Sequence, residues 1–175
     1  MKYPSNRVRN SVTIMIIFLG VVAIFWAVME TAEINKARSL EGKFKVGMTA
    51  PNFDVKNMKG HEVKLSDYQG KKVIMNFWAS WCEPCVREMP IIYDFYQSRD
   101  DHIEVLFINV GESKGTINEF LTLHHFDFPV IIDATGTLSK RYRISGLPST
   151  VIINKEGNLD QVITGELSDS ALLES

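Results

Sequence analysis

The feature that most constrains this chain is a pair of cysteines at the junction of a predicted strand and a predicted helix. Cys82 and Cys85 are its only cysteines, and two residues separate them. Residues 72–78 form a short, mostly apolar run that is typical of a strand buried on both faces. The helical pattern that follows begins at Cys82 and continues to about Ser98. A cysteine pair that opens a helix has its first sulfur at the exposed end of that helix, which favours a redox pair over two structural cysteines.

Predicted strands and helices alternate along the rest of the chain. After a short hairpin with a turn at residues 57–60, the strands cover residues 72–78, 103–110, 128–133, 149–154 and 159–164. The helices cover residues 82–98, with a kink at Pro90, then 116–125, 138–142 and a last helix that begins near Ser168. This alternation predicts an α/β fold with a central sheet that is parallel except at an antiparallel edge, where the closing hairpin makes it mixed. Helices flank both faces of that sheet.

A second feature is an apolar run near the N-terminus. Residues 12–29 carry no charge, and the run is just long enough to cross the roughly 30 Å hydrocarbon core of a bilayer as a helix. A cleaved signal peptide usually has a shorter apolar region that ends at a small-x-small site. No small residue stands two positions before Ala27, Ala32 or Ala37. We therefore expect one N-terminal transmembrane helix rather than a cleaved signal peptide or a buried core helix.

This run divides the chain into four predicted parts. They are an N-terminal tail over residues 1–11, a transmembrane signal-anchor over 12–29, a polar tether over 30–46 and a globular domain over 47–175. Three basic residues precede the run, whereas Lys36 and Arg38 follow it, so the positive-inside rule favours a cytoplasmic N-terminus by about one charge. The globular domain is then expected on the extracytoplasmic face of the cell membrane, behind a single-pass helix.

The charge balance indicates no polyanionic partner. The whole chain has 19 basic and 21 acidic residues and a formal net charge of -2. It contains no basic stripe, so we expect no nucleic-acid partner.

The position of each cysteine in the helix predicts its role in the reaction. The unpaired N–H groups and the dipole of a helix N-terminus favour the thiolate of Cys82. Cys85 lies one turn further in, so we expect it to be more buried and to resolve the mixed disulfide that Cys82 forms with a substrate. Pro84 suits the first helical turn, where its missing N–H costs nothing. Glu83 opposes the thiolate by charge, which destabilises the reduced form and favours a reductant over an oxidant.

Longer motifs around the pair carry a family resemblance. The segment Phe77-Trp78-Ala79-Ser80-Trp81-Cys82-Glu83-Pro84-Cys85 is similar to the active-site segment of thioredoxins. The motifs around it are Gly47-x-x-Ala50-Pro51-x-Phe53, Glu88-x-Pro90 and Val110-Gly111-Glu112-Ser113. With these motifs, residues 46 to about 170 resemble the ResA/TlpA-type branch of membrane-anchored thiol–disulfide oxidoreductases.

The resemblance implies a thioredoxin-like fold and an extracytoplasmic reductase of protein disulfides. Branch members closest to this pattern reduce the disulfide of apocytochrome c before haem attachment, with electrons from a membrane thiol transporter of the CcdA type. Other members serve other exported proteins of the spore or envelope. The resemblance implies no metal, and no cofactor beyond the redox-active Cys82–Cys85 disulfide.

Further residues acquire roles through the resemblance. Glu88 matches a branch glutamate that acts as general acid/base for the thiols, a role that requires partial burial and a raised pKa. Leu147-Pro148 matches the loop whose proline is cis and lies beside the cysteines, where the backbone of Leu147 pairs with an extended substrate strand. Independently of the resemblance, we expect Trp81 to be mainly structural and also to shape the surface that meets the substrate. Without the resemblance, Glu88 is a solvated helix residue and Pro148 an ordinary trans proline.

One position departs from cytoplasmic thioredoxins. Their buried aspartate in the strand before the cysteines is Asn76 in this chain. Because asparagine cannot take a proton, the acid/base work is expected to fall to Glu88, Glu83 or water.

Other functions share parts of this pattern. Peroxiredoxins open with a similar motif, but they have a threonine three residues before a single peroxidatic cysteine, where this chain has Ala79. Copper-delivery proteins of the Sco type use C-x-x-x-C and a distant histidine, which keeps His124 or His125 as a candidate ligand. A disulfide oxidant has the same fold and chemistry with a different redox potential. A four-cysteine zinc site needs a second pair of ligands that this sequence lacks.

Overall fold

The computed structural model describes residues 18–31 and 45–167, which belong to two separate units. In the first unit, residues 18–31 are helical (α1) and their side chains are exposed. Within the described residues, no helix combines the length and the apolar character that a membrane span requires. The predicted anchor over 12–29 is described only from residue 18 onward. Most of the predicted tether and the helix predicted from Ser168 lie outside the described residues.

The second unit opens with a small hairpin. It consists of β1 (Asp54–Lys56) and β2 (Glu62–Lys64), which pair antiparallel and are followed by a 3-10 helix, Leu65–Tyr68. The turn between the strands ends at Gly60, whose φ of 85° is one that glycine adopts without steric cost. Met58 in this turn donates its N–H to the carbonyl of Val130 over 2.8 Å. The hairpin is thereby attached to the edge of the main sheet.

Five strands form the main sheet. They are β3 (Lys72–Trp78), β4 (Ile103–Val110), β5 (Val130–Asp133), β6 (Ser149–Ile153) and β7 (Leu159–Thr164). Their spatial order is β5-β4-β3-β6-β7. β3, β4 and β5 run parallel, whereas β6 is antiparallel to both β3 and β7. The sheet is therefore mixed, and the β6–β7 hairpin supplies the predicted antiparallel part.

Three helices lie between these strands in the sequence. They are α2 (Glu83–Ser98), α3 (Lys114–His124) and α4 (Thr137–Arg141). α2 continues through Pro90, as the apolar pattern beyond this proline predicted. α3 begins earlier than predicted because the Ser113 hydroxyl accepts a hydrogen bond from the N–H of Thr116 and caps the helix. The helix ends at His124 and is capped by His125, whose φ of 58° is left-handed.

Hydrophobic clusters cover both faces of the main sheet. Alternate residues of β3 contribute to each cluster, with Ile74 and Trp78 on one face and Val73, Met75 and Phe77 on the other. The first cluster includes side chains of α2 and α3, and the second includes side chains of α4. Burial of one such large side chain stabilises the fold by about 1.5–3 kcal/mol. β3 is thus buried on both faces, as its apolar run predicted.

The strand directions bring several loops to one end of the main sheet. β3, β4, β5 and β7 run in the same direction and end there, while the antiparallel β6 begins there. Four of these loops contain Ser80, Glu112, Pro148 and Glu166. We call this end the cysteine end because Cys82 follows β3 there. The turns before β4 and after β6 lie at the opposite end of the sheet.

Candidate active site

Cys82 and Cys85 lie at the start of α2, directly after the central strand β3. They form a disulfide. Cys82 occupies the N-cap position, where its sulfur accepts a hydrogen bond from the N–H of Cys85 over 3.3 Å. Pro84 lies in the first turn of the helix, where no N–H is needed. A strand with a partner on each side and the helix that follows it therefore fix both sulfurs at the cysteine end.

Both cysteines are largely covered. Cys82 is 5% exposed and Cys85 is fully buried, so Cys85 is the more buried of the two, as expected. The expectation that Cys82 stands at an exposed helix end needs correction, because its side chain packs in the hydrophobic cluster between α2 and the sheet. The neighbouring Trp81 is 71% exposed, whereas Trp78 is fully buried in the core. Trp81 thus presents a large apolar surface to the solvent directly before Cys82.

A buried carboxyl group lies on the same helix. Glu88 and Asn76 are both fully buried, and Asn76 donates a side-chain N–H to one carboxyl oxygen of Glu88 over 2.9 Å. The same amide group donates to the hydroxyl of Thr150 over 3.2 Å. The other carboxyl oxygen of Glu88 accepts the backbone N–H of Leu167 over 2.7 Å. Strand β3 and the segment after β7 therefore hold this carboxyl group in place.

Burial changes the acidity of Glu88. Loss of water around the carboxylate raises the pKa of Glu88 above its ordinary value of 4.5. The hydrogen bonds from Leu167 and Asn76 lower this pKa without cancelling the effect of burial, and the nearby charge of Glu166 raises it slightly further. The result is a buried acid whose pKa is shifted toward neutrality, which is the property that a general acid/base for thiols requires.

Arg87 joins two carboxylates on the outer side of α2. Its guanidinium contacts Glu83 over 2.9 Å and Glu166, in the segment after β7, also over 2.9 Å. The Glu83 side chain is 86% exposed. Because Glu83 is paired and solvated, its charge opposes a thiolate on Cys82 less than the sequence indicated. The prediction of a reductant is correspondingly weaker where it rests on Glu83.

Glu112 is a site residue that the sequence indicated only as part of a motif. Its carboxylate accepts the backbone N–H of Ser80 over 2.7 Å and the side-chain N–H of Asn109 over 2.6 Å. It also accepts the hydroxyl of Ser80, which lies two residues before Cys82. Glu112 therefore ties the loop after β4 to the loop that leads into the cysteines. The motif Val110-Gly111-Glu112-Ser113 was a signal for its importance, but the motif did not reveal its partner.

The loop before β6 contributes a proline to the cysteine end. The Leu147–Pro148 peptide bond is cis, as the resemblance implied. The carbonyl of Pro148 accepts the N–H of Gly165 over 2.9 Å. Leu147 packs against the hydrophobic cluster that contains both cysteines. Among residues 45–167, the backbone N–H and carbonyl of Leu147 have no hydrogen-bond partner, so they are available to another chain.

The two histidines that suggested a copper site lie at the C-terminal end of α3. The ring of His124 packs on Phe120 and Phe126, with centroid separations of 4.4 and 5.9 Å. His125 terminates α3 in the left-handed conformation. In the part of the chain that the structure describes, no group of histidine, cysteine, aspartate and glutamate side chains could hold a metal ion.

Comparisons with known proteins agree with this geometry. A profile of the AhpC/TSA family matches residues 46–162. Thiol-disulfide oxidoreductase ResA from Geobacillus kaustophilus is 42% identical over 124 residues, which cover 70% of this chain and 71% of that protein. Thiol-disulfide oxidoreductase ResA from Bacillus thuringiensis subsp. konkukian is 32% identical over 170 residues, which cover 97% of this chain and 94% of that protein.

The fold has solved counterparts. The crystal structure of StoA from Bacillus subtilis superimposes with a TM-score of 0.63 and 26% identity, over 71% of this chain and 95% of StoA. The fold is thus thioredoxin-like, and the Cys82–Cys85 pair carries out dithiol–disulfide exchange with proteins. The chain belongs to the AhpC/TSA family and, by its identity to the ResA proteins, to the ResA-type thiol–disulfide oxidoreductases.

Proposed function

We propose that this protein is an extracytoplasmic reductant that reduces the disulfide of apocytochrome c before haem attachment. The observation that supports thiol–disulfide exchange at this pair is the buried Glu88 carboxyl group on the helix of the cysteines, held by Asn76 and Leu167. The fully buried thiol of Cys85 has to lose its proton in a site that water hardly reaches. A buried base with a raised pKa on the same helix is suited to accept that proton.

The proposed reaction starts from the reduced pair. The Cys82 thiolate attacks one sulfur of the substrate disulfide, forms an S–S bond with it and expels the other substrate sulfur as a thiolate. Glu88 then accepts the proton of the Cys85 thiol, and the Cys85 sulfur attacks the sulfur of Cys82. The Cys82–Cys85 disulfide forms and the second substrate thiolate leaves. Two electrons have then passed to the substrate, and the proton on Glu88 neutralises a departing thiolate.

The surroundings of the cysteines suit a protein substrate. Trp81 offers exposed apolar surface, and the backbone of Leu147 offers the hydrogen bonds of an extended strand. Pro148 fixes that loop through Gly165, while Pro84 and Glu83 form the first turn of α2. We assign these residues to substrate binding and to support of the active site.

The proposal includes attachment to the membrane. Residues 12–29 form a single-pass anchor, with residues 1–11 in the cytoplasm and the domain over 47–175 outside, on the tether over 30–46. The support is the uncharged apolar run over these residues. Electrons then have to cross the membrane, for which we propose a CcdA-type thiol transporter as donor. We propose no cofactor other than the Cys82–Cys85 disulfide.

The redox potential tests the direction of electron flow. The full chain, in detergent micelles, is equilibrated in thiol/disulfide buffers while tryptophan fluorescence reports the state of the Cys82–Cys85 pair. A midpoint potential near or below about -250 mV, in the range of thioredoxin, supports a reductant. A potential near about -120 mV, as in DsbA, would make the protein an oxidant and refute the proposal.

A trapping experiment tests the substrate. With Cys85→Ala, resolution is blocked, so a mixed disulfide between Cys82 and oxidised apocytochrome c should accumulate. Cys82→Ala is the matched control and should trap nothing. If apocytochrome c is not trapped while another exported protein is, the protein is a reductant for that other substrate.

A further inference from the structure

Two consecutive residues of α2 contact two consecutive residues of the segment after β7. Arg87 forms its ion pair with Glu166, with the Nη2 and Oε2 atoms 2.9 Å apart. The next residue of the helix, Glu88, accepts the backbone N–H of Leu167 over 2.7 Å. Gly165, at the start of the same segment, donates its N–H to Pro148 over 2.9 Å. We refer to residues 165–167 as the closing segment because its last residue, Leu167, donates its N–H to the Glu88 carboxyl group.

We propose that Arg87 and Glu166 are positioning residues for the acid/base step, because their ion pair keeps the N–H of Leu167 on the Glu88 carboxyl group. This inference rests on the acid/base role proposed above for Glu88. Neither Arg87 nor Glu166 touches the reacting sulfurs in this scheme. They act through the closing segment.

The local geometry supports an effect on the closing segment rather than on the whole fold. Arg87 is 51% exposed and Glu166 is 39% exposed, and exposed ion pairs contribute little to global stability. The closing segment begins at Gly165, whose φ of 103° is accessible mainly to glycine. Because glycine adopts many backbone conformations, this residue by itself does little to fix the course of the segment. The ion pair of Glu166 with Arg87 on α2 therefore restricts the backbone next to the buried Leu167.

The position of the Leu167 N–H matters for proton transfer because it stabilises the ionised form of Glu88. The groups around Glu88 shift its pKa in opposite directions. Asn76 on β3 and the Leu167 N–H lower the pKa of Glu88, whereas burial and the charge of Glu166 raise it. Loss of the Leu167 hydrogen bond therefore raises the pKa of Glu88 further and favours its protonated form, which cannot accept the Cys85 proton.

Arg87→Gln is the most direct variant for a test. It breaks the ion pair and leaves the charge of Glu166 unchanged, so weakening of the Leu167 hydrogen bond raises the pKa of Glu88 with no opposing change. Glu166→Gln also breaks the pair, but it removes a charge that raises the pKa of Glu88, so its net shift is expected to be smaller. Glu83→Gln is the matched control, because it removes the other partner of Arg87 and leaves Glu166 in place.

The first measurement is hydrogen exchange of the Leu167 amide, by NMR on the full chain in detergent micelles. We expect exchange to become about threefold faster in Arg87→Gln and in Glu166→Gln, the size of effect that an exposed ion pair supports, and to be unchanged in Glu83→Gln. The double variant Arg87→Gln/Glu166→Gln should exchange no faster than the single variants, since both remove the same contact. Unchanged exchange in both single variants would overturn the proposal.

The second measurement follows the reactions of the Cys82 and Cys85 thiols separately. Reduced protein is mixed with dithiobis(nitrobenzoate), whose two coloured thiolates are released in sequence, the first by attack of Cys82 and the second by resolution through Cys85. In Arg87→Gln we expect the midpoint of the pH profile of the second phase to move upward and its rate near neutral pH to fall about threefold. Glu83→Gln should change the first phase only. A second phase in Arg87→Gln identical to that of the wild type would refute the positioning role even if Leu167 exchanges faster.

Glu88→Gln distinguishes failure of this inference from failure of the acid/base assignment on which it rests. If Glu88→Gln slows the second phase but Arg87→Gln does not, the acid/base role stands and the positioning role is wrong. If Glu88→Gln leaves the second phase unchanged, the acid/base role is itself wrong, and the positioning role is refuted with it.

Discussion

Asn76 donates a hydrogen bond to Glu88 across the interface between the central strand and the helix of the cysteines, over 2.9 Å and without solvent contact on either side. A carboxyl group in such a place is held between two opposing influences. Burial favours its protonated form, whereas the donors Asn76 and Leu167 favour its ionised form. The balance can be tested through stability as well as through catalysis.

The stability of the protein should depend on pH through Glu88. Because burial raises the pKa of Glu88 above 4.5, the folded protein binds this proton more tightly than the unfolded chain does. The resulting stability is fully present below pH 4.5 and is lost as pH rises through the raised pKa. Glu88→Gln removes this titration. The free energy of unfolding of the variant, minus that of the wild type, should therefore increase with pH across this interval.

Urea unfolding of the oxidised proteins at a series of pH values measures this difference. The control is Leu123→Ala, which changes an exposed side chain that does not titrate and should give a difference that does not vary with pH. A difference for Glu88→Gln that is equally constant would contradict the raised pKa of Glu88.

Asn76→Asp should destabilise the protein, and increasingly so as pH rises. The substitution replaces an amide donor by a second carboxyl group against Glu88, and two adjacent buried carboxylates cannot both ionise. Loss of the donor alone costs about 1–3 kcal/mol near neutral pH. Asn118→Asp makes the same chemical change at an exposed position of α3 and should have little effect. Equal losses for the two variants in urea unfolding would argue against a buried Asn76–Glu88 contact.

Glu112→Ala should loosen the loop before the cysteines. It removes the acceptor of the Ser80 N–H and of the Asn109 amide, and unpaired donors in covered positions cost about 2–3 kcal/mol in total. We expect that loss in urea unfolding. Glu119→Ala, which makes the same change on the exposed side of α3, should stay within about 0.5 kcal/mol of the wild type. A loss for Glu112→Ala no larger than that of its control would mean that the Ser80 contacts contribute nothing.

Trp81→Ala should separate substrate recognition from stability. Because Trp81 is 71% exposed, its removal should change the free energy of unfolding by less than about 0.5 kcal/mol. Reduction of a protein disulfide should slow about tenfold, as for an aromatic residue at the centre of an interface, while reduction of a small-molecule disulfide should not. Leu123→Ala, at another exposed apolar residue, should affect neither reaction. Equal slowing of both substrates by Trp81→Ala would indicate a role in chemistry instead.

Most of the main sheet could be predicted from the sequence. β3, β4 and β7 have the predicted bounds because each is a run of β-forming residues bounded by turn residues. The start of α3 was missed because a cap formed by the Ser113 side chain is a local interaction that apolar periodicity does not report. The cysteine pair was identified because its spacing and its place at a helix start are both local features.

The surroundings of the pair were less predictable because they depend on contacts between distant segments. Glu88 meets the N–H of Leu167, and Arg87 meets Glu166, each across 79 positions of the sequence. Nothing in the local pattern distinguishes a buried glutamate on α2 from a solvated one. The resemblance alone implied that Glu88 is buried. Arg87 was not predicted to have any role, since an exposed arginine on a helix is ordinary.

The strand directions also determine where the protein can be attached to a surface without disturbing the active site. The loops with Ser80, Glu112, Pro148 and Glu166 at the cysteine end are occupied by the contacts described above, whereas the turn before β4 is at the far end of the sheet. Asp101 in that turn is exposed. A surface linker attached at Asp101 would therefore immobilise the protein with its cysteines facing away from the support. Oriented layers made in this way would keep every molecule accessible to a large protein substrate.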